Sequence, residues 1–148
     1  MKRIVAHEEF CINCRLCEVH CLVQRSKSKK IIKAFRKEKD HIVPGVKVEQ
    51  SGYASFALQC RHCDDAPCIE ACMTGAMHRD ETTGAVLSDP DKCVGCWMCI
   101  MVCPVGAVSR GANRRIASKC DLCMGEKVPA CVANCPNEAI VLEETDDE

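Results

Sequence analysis

Apolar positions along this chain come in short bursts separated by turn residues, a pattern of small strands and brief helices rather than long regular elements. Arg3-Ile4-Val5-Ala6 near the start and Ala139-Ile140-Val141-Leu142 near the end are matched strand candidates. Ala76-Met77-His78-Arg79 and Ala85-Val86-Leu87 flank the turn sequence Asp80-Glu81-Thr82-Thr83-Gly84 and predict a β-hairpin. Ala107-Val108-Ser109 and Arg115-Ile116-Ala117 flank Gly111 and predict a weaker one, while Val46, Val48, Tyr53, Phe56 and Leu58 predict one or two strands around Ser51-Gly52. A helical period runs from Ser26 to Asp40, where Ile31, Ile32, Ala34 and Phe35 lie among Lys29, Lys30, Lys33, Arg36, Lys37 and Lys39. This basic amphipathic helix, stopped by Pro44-Gly45, reads as a solvated covering face, or else as a docking face for an acidic partner.

The pattern leaves the core underfilled. One Trp, one Tyr and three Phe in 148 residues supply little bulk, and a small domain short of core needs disulfides or metal. Sixteen cysteines fill that gap, in four groups of four: Cys11, Cys14, Cys17 and Cys21; Cys60, Cys63, Cys68 and Cys72; Cys93, Cys96, Cys99 and Cys103; Cys120, Cys123, Cys131 and Cys135. Four thiolates hold one cubane iron-sulfur cluster, and the dense run C-x2-C-x2-C-x3-C, with proline after Cys103 and Cys135, is the bacterial ferredoxin spacing. The chain therefore reads as a carrier of four 4Fe-4S clusters and a wire for electrons. Each oxidised cubane with its thiolates carries about 2−, which takes the formal charge from −1 to about −9 and gives the 20 basic residues work as local counter-charge.

Two rival uses of cysteine are weaker. Disulfides belong to oxidising compartments, and Met1 to Phe10 has no apolar signal region, so the expected location is the reducing cytoplasm. Zinc binds C-x2-C pairs two at a time and needs neither the third cysteine of the dense run nor the proline. No apolar stretch approaches the roughly 20 residues that span a bilayer, so direct membrane insertion is not expected. The near-balanced charge gives no indication of nucleic-acid binding. No nucleotide-binding glycine loop, haem-attachment site or acid-base constellation is present, so the chain is expected to be an electron-transfer subunit and not an enzyme, with no catalytic residues. His20 and His62 read as neighbours of the ligands or surface residues, and Trp97 as packing over a cluster or at an interface.

The surroundings of the groups repeat. Cys72-Met-Thr-Gly-Ala-Met77, Cys103-Pro-Val-Gly-Ala-Val108 and Cys135-Pro-Asn-Glu-Ala-Ile140 share C-x-x-[GE]-A-[MVI]. The expected fold class is α+β: two nested ferredoxin-like two-cluster units with short β-hairpins and short helices. Residues 1–54 and 111–148 would form the outer unit, its first and last strands side by side, and residues 55–110 an inserted inner unit. A sequential pairing of groups three and four would suit the spacing as well. In two-cluster ferredoxins the fourth cysteine of each run starts a helix and ligates the other cluster. With the nested pairing, the expected ligand sets are Cys11, Cys14, Cys17 with Cys135; Cys120, Cys123, Cys131 with Cys21; Cys60, Cys63, Cys68 with Cys103; and Cys93, Cys96, Cys99 with Cys72. Pro67 and Pro129 can open the helices carrying the later cysteines of the two looser groups, and the loops before them would lie at the surface or against partners.

Four groups in this order, with C-x2-C-x4-C-x3-C second and C-x2-C-x7-C-x3-C-P last, resemble the four-cluster electron-transfer subunits of the dimethyl sulfoxide reductase, formate dehydrogenase and nitrate reductase type. The resemblance spans nearly the whole chain and implies pairing of group one with four and of two with three. Some relatives of that type lack one cysteine of the third group and hold a three-iron cluster; all four are present here. The short length and the stretches Glu9-Phe10-Cys11-Ile12-Asn13-Cys14-Arg15-Leu16-Cys17-Glu18 and Phe56-Ala57-Leu58-Gln59-Cys60-Arg61-His62-Cys63-Asp64 are similar to the iron-sulfur proteins that accompany anaerobic carbon monoxide dehydrogenases. That implies relay of electrons to a flavin-containing NAD(P) oxidoreductase or a hydrogenase. Equally short members serve formate dehydrogenases and hydrogenases, and a free polyferredoxin or a cluster-based redox sensor is the alternative outside the complex.

Overall fold

The computed structural model describes residues 2–111 and 116–144. In chain order the elements are β1 (Lys2–Ala6), α1 (Leu16–Arg25), α2 (Ile31–Lys33), β2 (Val46–Ser51), β3 (Ala54–Gln59), α3 (Pro67–Glu70), β4 (Met77–Arg79), β5 (Val86–Ser88), α4 (Met98–Val102), β6 (Ser109–Arg110), β7 (Ala117–Ser118), α5 (Ala130–Ala133) and β8 (Ile140–Glu144). The strands form four antiparallel pairs, β1 with β8, β2 with β3, β4 with β5 and β6 with β7. No helix among the described residues is long and apolar enough to cross a membrane.

The two chain ends close on each other. Lys2 lies opposite Glu144 and Ala6 opposite Ile140, so Ile4 and Ile140 both turn inward and are buried. The elements then pack into two apolar cores. One gathers Ile4, Val46, Val48, Ala57 and Ile140 with Cys17, Cys21, Cys60, Cys120 and Cys131; the other gathers Ala66, Met77, Val86, Val108 and Ala117 with Cys68 and Cys99. Neither contains a buried aromatic residue, so thiols occupy places that large side chains fill in ordinary cores. Strand β3 lies across the 54/55 boundary expected from sequence, and Ala57 and Cys60 pack in the first core.

Several elements differ from expectation. The basic helix does not begin at Ser26, because Ser26 ends α1 and its hydroxyl donates to the Val23 carbonyl. Lys29 then takes a left-handed φ of 52°, which no helix continues through, and the coil restarts at Ile31 and widens into a π-helical turn over Ala34–Glu38. Tyr53 sits in the β2–β3 turn, fully exposed, rather than in a strand.

The fourth cysteine of a group does not start a helix. Cys17, Cys68, Cys99 and Cys131, each the third of its group, lie near the start of α1, α3, α4 and α5, while Cys103 is the extended residue that ends α4. Pro104 and Pro136 explain this for two groups, since a residue before proline is disfavoured in the helical region. Pro67 opens α3, and Pro129 immediately precedes α5. The weaker hairpin is β6–β7, shifted towards Ser109–Arg110 and Ala117–Ser118, and its expected strand residue Arg115 lies outside the described residues. The sequence also ends in Glu143-Glu144-Thr145-Asp146-Asp147-Glu148, which reads as a solubilising acidic tail, and residues 145–148 of it lie outside the described residues.

Candidate cluster-binding site

Each cysteine group is built on a backbone that turns left-handed at the same place. The residue before the second cysteine, Asn13, His62, Gly95 or Leu122, has φ of 57°, 49°, 73° and 56° respectively. In the two dense runs the residue after that cysteine, Arg15 or Trp97, is left-handed as well and immediately precedes α1 or α4. Such alternation curls successive amides towards one side, the concavity that binds anions. The amides meet sulfur accordingly: His62 N–H donates to Cys60 Sγ at 3.4 Å and Leu122 N–H to Cys120 Sγ at 3.5 Å. Further donors come from outside each loop, with Gly45 N–H on Cys21 at 3.1 Å, Met77 N–H on Cys72 at 3.4 Å and Ala117 N–H on Cys93 at 3.5 Å.

The cysteines converge in sets of four drawn from two groups. Cys11, Cys14, Cys17 and Cys135 line one small void of about 20 Å³. Cys60, Cys63, Cys68 and Cys103 line another of about 20 Å³, and Cys72, Cys93, Cys96 and Cys99 a third of the same size. Cys21, Cys120, Cys123 and Cys131 form the remaining set, close enough that Cys120, Cys21 and Cys123 all raise the Cys131 thiol. All sixteen are free thiols. Among the described residues no three His, Cys, Asp or Glu side chains stand close enough to hold a single metal ion. The donors thus fit a group with four separated corners, not a lone zinc about 2.3 Å from each sulfur.

The electrostatics of the bare thiols point the same way. Burial pushes Cys17 and Cys120 up to about 12 and raises Cys21, Cys68, Cys99, Cys123 and Cys131. Cys72 runs the other way, because burial there is outweighed by the Met77 amide and the Thr74 hydroxyl and amide. Thiols this reluctant to ionise become thiolates when a cation is supplied at the site, as a coordinating metal does.

Members of different sets share cores: Cys17, Cys60 and the trio Cys21, Cys120 and Cys131 lie in the first, and Cys68 and Cys99 in the second. The charge of Cys17 bears on Cys131, that of Cys60 on Cys120 and that of Cys68 on Cys99. The order these give runs from Cys11/14/17/135 through Cys21/120/123/131 and Cys60/63/68/103 to Cys72/93/96/99. Cys14 and Cys96, at the two ends, are exposed.

Residues 51–146 match the 4Fe-4S dicluster domain. The chain belongs to that family. Within it, the chain is 37% identical to an iron-sulfur protein of Rhodospirillum rubrum over 97% of its own length and 82% of that protein's. It is 35% identical to the electron transport protein HydN of Escherichia coli, covering 93% and 85%, and 36% identical to Protein NrfC of the same organism, covering 97% and 66%. The benzoyl-coenzyme A reductase complex BamBC shares the fold, with a TM-score of 0.57 at 19% identity over the whole of this chain and 78% of that one. This dicluster-family chain is thus similar along most of its length to iron-sulfur and electron-transport proteins.

Among candidates outside the cysteines, His62 is wholly buried rather than at the surface, and its Nδ1 accepts the Val86 N–H at 3.0 Å. Desolvation, then the nearby Lys119 charge, push it down to about 4, so it is neutral at physiological pH. Trp97 lines the void of Cys72/93/96/99 and carries Arg110 stacked 4.7 Å above its ring. His20 is half-buried. Three residues carried no signal in the sequence. Arg25 donates to Val43 O at 2.8 Å, Ser118 Oγ at 3.1 Å and Lys119 O, and pairs with Asp121 at 3.4 Å, locking α1 to the Cys120 loop. Gly45 lies against Cys120, and Lys119, which precedes Cys120 in the chain, is buried with its charge favouring the Cys68 thiolate.

Proposed function

We propose that this chain is the electron-transfer subunit of an oxidoreductase complex, holding four 4Fe-4S clusters in a line through its sixteen cysteines. The four ligand sets are Cys11/14/17 with Cys135, Cys120/123/131 with Cys21, Cys60/63/68 with Cys103 and Cys93/96/99 with Cys72, arranged as an inner two-cluster unit inserted into an outer one. The observation that carries the reading is the linear adjacency of the sets, exposed at both ends. When bound, each cubane supplies a one-electron site. The protein's own part is to turn amides onto the sulfurs, to exclude water from the middle sets and to bring neighbouring sets together.

Both ends look prepared for contact. Phe10, Ile12 and Leu16 are exposed around Cys11, Cys14 and Cys17; Met73, Val94, Met98 and Met101 are exposed around Cys72, Cys93, Cys96 and Cys99. Apolar groups left in water at the two electron-exit points suit docking of a partner on each, and methionine adapts well to a foreign surface. Our reading places a catalytic oxidoreductase subunit at one end and an acceptor at the other, within a reducing cytoplasm that keeps unloaded thiols free. Carbon monoxide dehydrogenase is the catalytic partner that the sequence resemblance favours, formate dehydrogenase or hydrogenase being the alternatives. A flavoprotein NAD(P) oxidoreductase or a hydrogenase is the acceptor.

Anaerobic purification with metal analysis tests the reading. About sixteen irons per chain are expected, together with a co-purifying oxidoreductase; zinc, or iron near eight, overturns it. Cys21→Ser separates the pairing schemes, because it should damage the cluster of Cys120/123/131 and spare that of Cys11/14/17.

A further inference from the structure

Lys119 is 4% exposed, at the place where the outer and inner sets meet. Its carbonyl is held by Arg25, its next residue is Cys120, and its ammonium donates to the carbonyl of buried Val86. The same Val86 gives its N–H to His62, so one peptide is gripped by the residue before Cys63 and the residue before Cys120. Lysine is almost never fully buried unless an anion compensates it. Among the described residues no carboxylate lies within ion-pair distance of Lys119, and Asp121, two positions on, pairs with Arg25 instead. What Lys119 does influence is Cys68, which its charge favours as thiolate. The terminal sets show no comparable buried cation among the described residues; their neighbours Arg15 and Arg110 are exposed.

We propose that Lys119 is a positioning residue for electron flow: a fixed buried cation between Cys60/63/68/103 and Cys21/120/123/131 that raises the reduction potential of these two middle clusters above what amides and burial alone would give. The inference rests on the four-cluster reading above. Reduction adds one negative charge per cluster, and a cation held in a low-dielectric interior stabilises that added charge more than an exposed one does. Its charge need not change for this to work.

The test is an anaerobic redox titration followed by electron paramagnetic resonance on the full chain, comparing wild type with Lys119→Met and Lys119→Arg after metal analysis. With iron at about sixteen per chain, Lys119→Met should lower two of the four midpoints. At fixed potential the reduced-to-oxidised ratio of those two clusters falls at least tenfold, about 59 mV for one electron, and Lys119→Arg restores most of it. Four unchanged midpoints at full iron load, or an equal fall in all four, overturns the role of Lys119 while leaving the four-cluster reading intact. Wild-type iron well below sixteen overturns that reading first. Should Lys119→Met fail to hold iron, Lys119→Gln at full load is judged by the same criteria.

Discussion

At the scale of single residues, the site depends on close approach more than on side-chain chemistry. A Cβ on Gly45 would come within 2.8 Å of the Cys120 Cα and 3.1 Å of its amide, distances that backbone cannot absorb. Gly45→Ala should therefore push the β2 approach off the Cys120 loop and break the N–H bond to Cys21. The expected outcome is loss of about four of sixteen irons with the other three signals retained in the resonance spectrum. Nothing in Pro44-Gly45 beyond a turn signal showed this. The sixteen cysteines stood out because four groups of thiols at ferredoxin-like spacing are a strong signal of cluster ligation. The left-handed positions were half legible: Gly75 and Gly106 in the C-x-x-[GE]-A repeat have φ of 65° and 64°, as their residue type allows, but Glu138 takes 52° at the equivalent place with no such licence. Leu122 and His62 are in the same position, and local propensity there is overridden by the loop they serve. Lys119 was hidden for a different reason, since a lysine in a sequence carries no mark of burial.

At the scale of elements, hairpins were easier to read than helices. The β4–β5 pair was marked by its turn, and the structure shows why: the Asp80 carboxylate accepts from Thr82 Oγ1 at 2.6 Å, Thr83 N at 2.8 Å and Thr83 Oγ1 at 2.6 Å. The Thr82 and Thr83 hydroxyls, with the Thr83 amide, hold that carboxyl down to about 2, well below its ordinary 3.8. A depressed carboxyl favours the folded turn above the ordinary value and stops doing so as pH falls through the folded one. Amide exchange at Gly84 and Ala85 should accordingly be slower in wild type than in Asp80→Asn by a margin that is constant above about pH 4 and closes towards pH 2. A margin independent of pH would mean that the carboxylate is not what holds the turn. The helices were less legible because each is only three to five residues long apart from α1, so no apolar period can develop. The limits of α3, α4 and α5 are set by proline or by a left-handed preceding residue, each around the single cysteine it carries.

For the whole molecule, the matched end strands in the sequence pair as β1 with β8, and the structure adds exposed apolar residues around Cys11/14/17 and around Cys72/93/96/99. The ends make a prediction of independence. Met101→Lys places a charge in the patch beside Cys96 and Cys99, and should slow electron transfer with one partner at least tenfold in stopped-flow mixing while leaving all four midpoints and the exchange with the other partner unchanged. Equal slowing with both would count against separate docking ends. The β1–β8 pairing carries one more consequence, and it concerns time. Residue 4 leaves the ribosome about 135 residues before its strand partner, a delay of roughly 7–30 s at 5–20 residues per second. Cys11, Cys14 and Cys17 spend that interval waiting for Cys135, while the whole stretch from Cys60 to Cys103 has already emerged. On the proposed ligand sets, loading with iron would then run along the line from the Cys72/93/96/99 end towards the Cys11/14/17/135 end, and the cysteines made first would be the last to be protected from oxygen.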